Sequence, residues 1–127
     1  MLIKNSPNNT IGCIYKVPCK ECNMFYLGQT GKDFATRIKQ HKYSVRTGQE
    51  SNALFVHLRD DKHCIDWDNA SPILPCNSID SRNIIDSSLI KHTEAFNMNL
   101  SNGMYKLDNF VIKKICDQVR RPGHLTI

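Results

Sequence analysis

Cys19 and Cys22, separated by two residues, sit in the run Pro18-Cys19-Lys20-Glu21-Cys22-Asn23, and His57 and His63 follow, separated by five. Thiolates and neutral imidazoles are the donors zinc prefers, and four of them close a tetrahedral shell. If the four share one ion, the chain near residue 20 must lie against the chain near residue 60, pinning the hairpin to the second helix. A shell closed by four protein ligands leaves no open coordination position, so the role expected of Zn²⁺ is structural. Cys64 adjoins His63 and could stand in for it. The first ten residues lack the apolar stretch of a signal peptide, so the expected compartment is reducing and the cysteines are metal ligands or free thiols. Cys13, Cys76 and Cys116 read as ordinary buried thiols.

At 127 residues with 40% hydrophobic content, the chain is one soluble-type domain with a modest core. No apolar run nears the roughly 18 residues that span a bilayer. The net charge of +5 suits a polyanionic partner without requiring one. Residues 1–10 read as a linker-like leader, 11–119 as the folded domain and 120–127 as a basic tail. Strands are expected at 11–17, at 24–27 and around Ile73 and Leu74, with residues 28–31 ending the second. Helices are expected from Thr30 or Asp33 to about Thr47, where Gly48 stops the chain, then at 51 to about 59, 79–91 and 110–119. This order describes an α/β protein of the α+β type, a small antiparallel sheet covered by helices.

On the first helix Phe34, Ile38 and Val45 form one stripe, and Arg37 and His41 border it. A guanidinium at the margin of a core needs an anion. A local carboxylate would serve, and so would a phosphate, which arginine binds through a planar fork of donors. Lys32, Lys39, Lys42 and Arg46, with Lys113, Lys114, Arg120 and Arg121, could hold nucleic-acid phosphates or could form a solvated helix face.

Gly12-Cys13-Ile14-Tyr15 and, eleven residues on, Tyr26-Leu27-Gly28, followed by Arg37 and His41, resemble the GIY-YIG endonucleases over residues 12 to 99. The Cys19, Cys22, His57, His63 set inserted in that frame, with the run from His57 to His63 and then Ile65-Asp66-Trp67, resembles the branch carried by Penelope-like retroelements. The resemblance implies a three-stranded antiparallel sheet packed by helices. It implies that Tyr15 contacts or deprotonates the attacking water, that Tyr26 orients it, and that Arg37 stabilises the phosphate. His41 would assist proton transfer, which its ordinary pKa of about 6.5 suits. Gly28 would let substrate approach the backbone, and Asn99 would help hold the site.

That family places a metal-binding glutamate on a later helix, and here the chain departs from the pattern. Matching Arg82 to the arginine four residues before that glutamate puts Asp86 in its place, with hard oxygens for Mg²⁺ or Mn²⁺ but a reach one methylene shorter. An Arg82–Asp86 surface pair is the plainer reading, and Glu94 is the alternative acid. The activity implied is DNA nicking that leaves a 3′-hydroxyl for a reverse transcriptase in the same polyprotein, in the nucleus, with element RNA a further partner. Two other readings stay open: a weak or inactive zinc-braced module that positions nucleic acid, and a zinc-binding interaction domain with no nucleic-acid partner.

Overall fold

The computed structural model describes residues 11–93 and 97–100. Strand β1 (Ile11–Pro18) pairs antiparallel with β2 (Phe25–Asp33) on one side and with β3 (Ser71–Pro75) on the other, giving the sheet order β2-β1-β3. Helix α1 (Phe34–Arg46) follows β2 directly, then α2 (Ala53–Asp61), and α3 (Ile79–His92) follows β3. The fold is α+β, a three-stranded antiparallel sheet with three helices, as the sequence led us to expect.

Period-two alternation on the strands gives the sheet two buried faces. Cys13, Tyr15 and Val17 pack with Phe34, Ile38 and Leu54 from α1 and α2. Ile14, Phe25 and Leu27 pack with Ile73 and with Leu89 and Ile90 of α3. The site described below lies beside β2, an edge strand, where elements from both faces meet.

Three boundaries differ from expectation for identifiable reasons. Strand β2 does not end at residues 28–31 but runs on to Asp33, because β1 is long enough to pair with it throughout, from Pro18↔Phe25 to Ile11↔Asp33. Asp33 then caps α1, its carboxylate accepting from the Thr36 amide at 3.1 Å. Helix α2 starts two residues later than expected, since Asn52 is extended and serves as its cap. Strand β3 includes Pro72 and Pro75, which an edge strand tolerates because one side of it needs no donors. The stop after α1 is as expected, with Gly48 at φ +74° just past the C-cap Thr47. Among the described residues no helix is long and apolar enough to cross a membrane. The leader at 1–10, the helix expected at 110–119 and the tail at 120–127 lie outside the described residues, as does Glu94.

Candidate functional site

The hairpin between β1 and β2 brings Cys19 and Cys22 against α2 and the loop after it. Ligand atoms of Cys19, Cys22, His57 and His63 all lie within 4.8 Å of one another. His57 Nε2 is 3.3 Å from Cys19 Sγ and 3.6 Å from Cys22 Sγ, and His63 Nδ1 is 3.5 Å from Cys19 Sγ and 3.3 Å from His57 Nε2. Zinc bonds of about 2.3 Å to sulfur and about 2.0 Å to nitrogen, opened to tetrahedral angles, put ligand atoms about 3.3–3.8 Å apart. The four side chains therefore fit zinc.

The surroundings fit as well. Asp61 accepts from His57 Nδ1 at 3.0 Å, which fixes the ring with Nε2 facing the cluster. The Glu21 amide donates to Cys19 Sγ at 3.4 Å. Backbone pairing of Cys19 with Ile65, and of the Lys20 amide with the Cys64 carbonyl, holds the knuckle to the His63 loop. Cys64 itself is exposed and its thiol stands outside the cluster, which leaves His63 as the fourth donor.

The second constellation centres on Tyr15, which is fully buried. Its cross-strand partner is Gly28, where a Cβ would collide with the phenol, so the glycine makes room for the Tyr15 ring to cross β2. The Tyr15 hydroxyl meets His41 Nε2 at 2.7 Å and accepts from Arg37 Nε at 3.2 Å. Tyr26 stacks edge-on against His41 with centroids 5.2 Å apart, and lies 6.3 Å from the Tyr15 ring. Burial pushes both phenols above their ordinary pKa, the neighbouring tyrosine adding to the effect at Tyr15 and the Asp86 charge adding at Tyr26, while Arg37 opposes it. Burial, then the Arg37 charge, lowers His41 to about 4, so the imidazole is neutral at pH 7.

Arg37 has no carboxylate partner among the described residues. Its Nη1 donates to the neutral Gln40 side chain at 2.9 Å. It opens instead into a pocket of about 390 Å³ lined by Tyr26, His41, Ser44, Asn52 and Asn99 among others. Tyr15 is not among the residues that line this pocket, but it contacts three that do, Tyr26, Arg37 and His41.

Asp86 comes from α3. It is not paired with Arg82, whose buried guanidinium donates to Gln29 Oε1 at 2.9 Å and to the Cys76 and Asn77 carbonyls at 3.1 and 3.0 Å. The surface-pair reading is thus corrected: Arg82 anchors the start of α3 to β2 and the β3–α3 loop. Asp86 Oδ1 is buried with no hydrogen-bond partner among the described residues, and desolvation raises its carboxyl to about 7. A buried oxygen left without a donor is what a cation ligand presents, so Asp86 fits a hard divalent ion.

Asn99 braces β2 from the side. Its Oδ1 accepts from the Leu27 amide at 2.9 Å and its Nδ2 donates to the Leu27 carbonyl at 2.7 Å, and these two bonds fix the backbone between Tyr26 and Gly28. The lysines divide differently from expectation. Lys39 and Lys42 line a separate groove of about 310 Å³ with Phe34, Ile38 and Trp67, where Lys42 Nζ sits 5.6 Å from the Trp67 ring centre. Lys32 is exposed near the end of β2.

Sequence reasoning missed Asn52 and Ser44 at the pocket, and Gln40 as the acceptor beside Arg37. Only Asn52 carried a signal, as an asparagine immediately ahead of the apolar run Ala53-Leu54-Phe55. Compared with protein-family models, with curated proteins and with solved structures, the chain finds no match.

Proposed function

We propose that this chain is a DNA-nicking endonuclease of the GIY-YIG type, of the kind that serves Penelope-like retroelements. The observation that carries the reading is Arg37: a half-buried guanidinium with no carboxylate partner among the described residues, bonded to the Tyr15 hydroxyl and facing an open pocket. A scissile phosphate is the anion such a group would accept, and its donors would meet the charge that builds on the phosphoryl oxygens.

The remaining side chains take roles around that phosphate. Tyr26 faces the pocket and would orient the attacking water. Tyr15, held by Arg37 and His41, acts from below by fixing where the guanidinium points. Asn99 keeps the Tyr26–Gly28 backbone in place. Asp86 would hold Mg²⁺ or Mn²⁺, which would supply a Lewis acid for the charge that builds on the phosphoryl group. The Cys19, Cys22, His57, His63 site would hold structural zinc and keep the hairpin against α2. Lys39 and Lys42 on α1, with Lys32 near the end of β2, would contact DNA phosphates.

The biological reading is that the nick supplies a 3′-hydroxyl for a reverse transcriptase in the same polyprotein, acting on nuclear DNA with element RNA at hand. The test is the chemistry of the product end. A nicked plasmid that a polymerase extends without further processing supports this reading. A nick blocked at its 3′ end contradicts it.

A further inference from the structure

Asn52 joins two pieces of the molecule with opposite ends of one amide. Its Oδ1 accepts from the Leu54 amide at 2.9 Å and the Phe55 amide at 3.4 Å, capping α2. Backbone N–H groups can only donate, so the atom they meet is the oxygen, and the amide orientation is fixed. Nδ2 is thereby turned to His41 Nδ1, 3.1 Å away. An amide NH₂ can only donate in its turn, so His41 Nδ1 accepts and carries no proton.

The consequence passes through the ring. A neutral imidazole has one N–H, and with Nδ1 bare it resides on Nε2. Nε2 lies 2.7 Å from the Tyr15 hydroxyl, to which it must donate. Arg37 Nε donates to the same oxygen. The Tyr15 oxygen therefore receives two N–H donors, and its own hydrogen points away from both.

We infer that Asn52 is a positioning residue that fixes the His41 tautomer and so directs two donors onto Tyr15. The effect on catalysis rests on the nuclease reading above, whereas the tautomer does not. His41 is faced by Arg37 from its own helix, Tyr15 from β1, Tyr26 from β2 and Asn52 ahead of α2. The Asp86 charge acts on Tyr15 and Tyr26, the two tyrosines packed against the ring. Among these neighbours Asn52 is the one that bonds Nδ1, so the tautomer depends on it.

Asn52→Asp is the informative variant, because aspartate caps a helix as well as asparagine does but can only accept at Nδ1. The experiment is nitrogen-15 NMR of the histidine rings in the zinc-loaded chain, with plasmid nicking measured alongside. In the unsubstituted chain His41 should carry its proton on Nε2. In Asn52→Asp the proton should move to Nδ1, Tyr15 should become the donor to Nε2, and kcat should fall roughly 10- to 100-fold, as for other residues that orient a functional histidine. A proton on Nδ1 in the unsubstituted chain, which needs no variant to detect, would overturn the inference. So would a proton that stays on Nε2 in Asn52→Asp, while a tautomer change that left kcat unaltered would overturn the catalytic consequence drawn from it. Absence of nicking by the unsubstituted chain, with the tautomers as stated, would remove the nuclease reading and uphold the role of Asn52 in fixing the ring.

Discussion

Gly28 lies directly across the strand pair from Tyr15, and any side chain on it would occupy the space of the phenol. That pairing decides where the Tyr15 hydroxyl lies and therefore what His41 and Arg37 can bond. Gly28→Ala should destabilise the fold by about 1–3 kcal/mol, as overpacking of a filled core does. Urea unfolding measures this. An unchanged midpoint would mean that the ring moves aside without cost.

Zinc should be bound stoichiometrically and should hold the hairpin to α2. Cys22→Ser and His63→Ala should lose the metal, with a stability loss on the order of several kcal/mol. Cys64→Ser should keep it. Metal analysis with thermal unfolding checks all three, and loss of zinc from Cys64→Ser would move the fourth ligand from His63 to Cys64.

Asp86 makes a prediction about pH. Its folded pKa, raised to about 7, lies above the unfolded value, so the native state binds the extra proton. The stability this provides is complete below about pH 4 and is lost as pH rises through 7, amounting to a few kcal/mol. His41, lowered to about 4, works the other way: its contribution is present above about 6.5 and is lost as pH falls through 4. Comparing Asp86→Asn with the unsubstituted, zinc-loaded chain isolates the first effect. Without added Mg²⁺, the variant should gain on the unsubstituted chain as pH rises from 5 to 8. A constant difference over that range would show that the carboxylate titrates normally.

Arg37 should resist even a conservative replacement. Arg37→Lys keeps the charge but loses the planar fork and the Nε bond to Tyr15. Nicking should fall by about 100-fold or more, while salt-sensitive DNA binding changes little. Retained nicking would mean that a point charge suffices.

Much of this was legible in the sequence because it was local. The spacing of Cys19, Cys22, His57 and His63 specified a zinc-compatible set, and the fold brings those four together without Cys64. The apolar stripe on α1 placed Arg37 and His41 at the edge of the core. What was not legible depended on contacts across elements. Asn52 meets His41 only because the turn after Gly48 folds α2 back on α1, and no periodicity reports that. Arg82 looked like half of a surface pair because i, i+4 spacing is all a sequence displays; its burial against Gln29 and two carbonyls is a property of the β3–α3 loop. The extension of β2 past Gly28 was hidden for a related reason. Gly28 and Gly31 read as a stop until the side chains they make room for, Tyr15 and Arg82, are in view.

The central claim is tested most directly by nicking of supercoiled plasmid in Mg²⁺ or Mn²⁺, with Arg37→Ala and Asp86→Ala run beside the unsubstituted chain. The account predicts nicking by the unsubstituted chain that both substitutions abolish. Undiminished nicking in Asp86→Ala would move the cation to another acid, with Glu94 the next candidate. No nicking at all by a zinc-loaded chain that still binds DNA would contradict the account and leave a nucleic-acid-positioning module in its place.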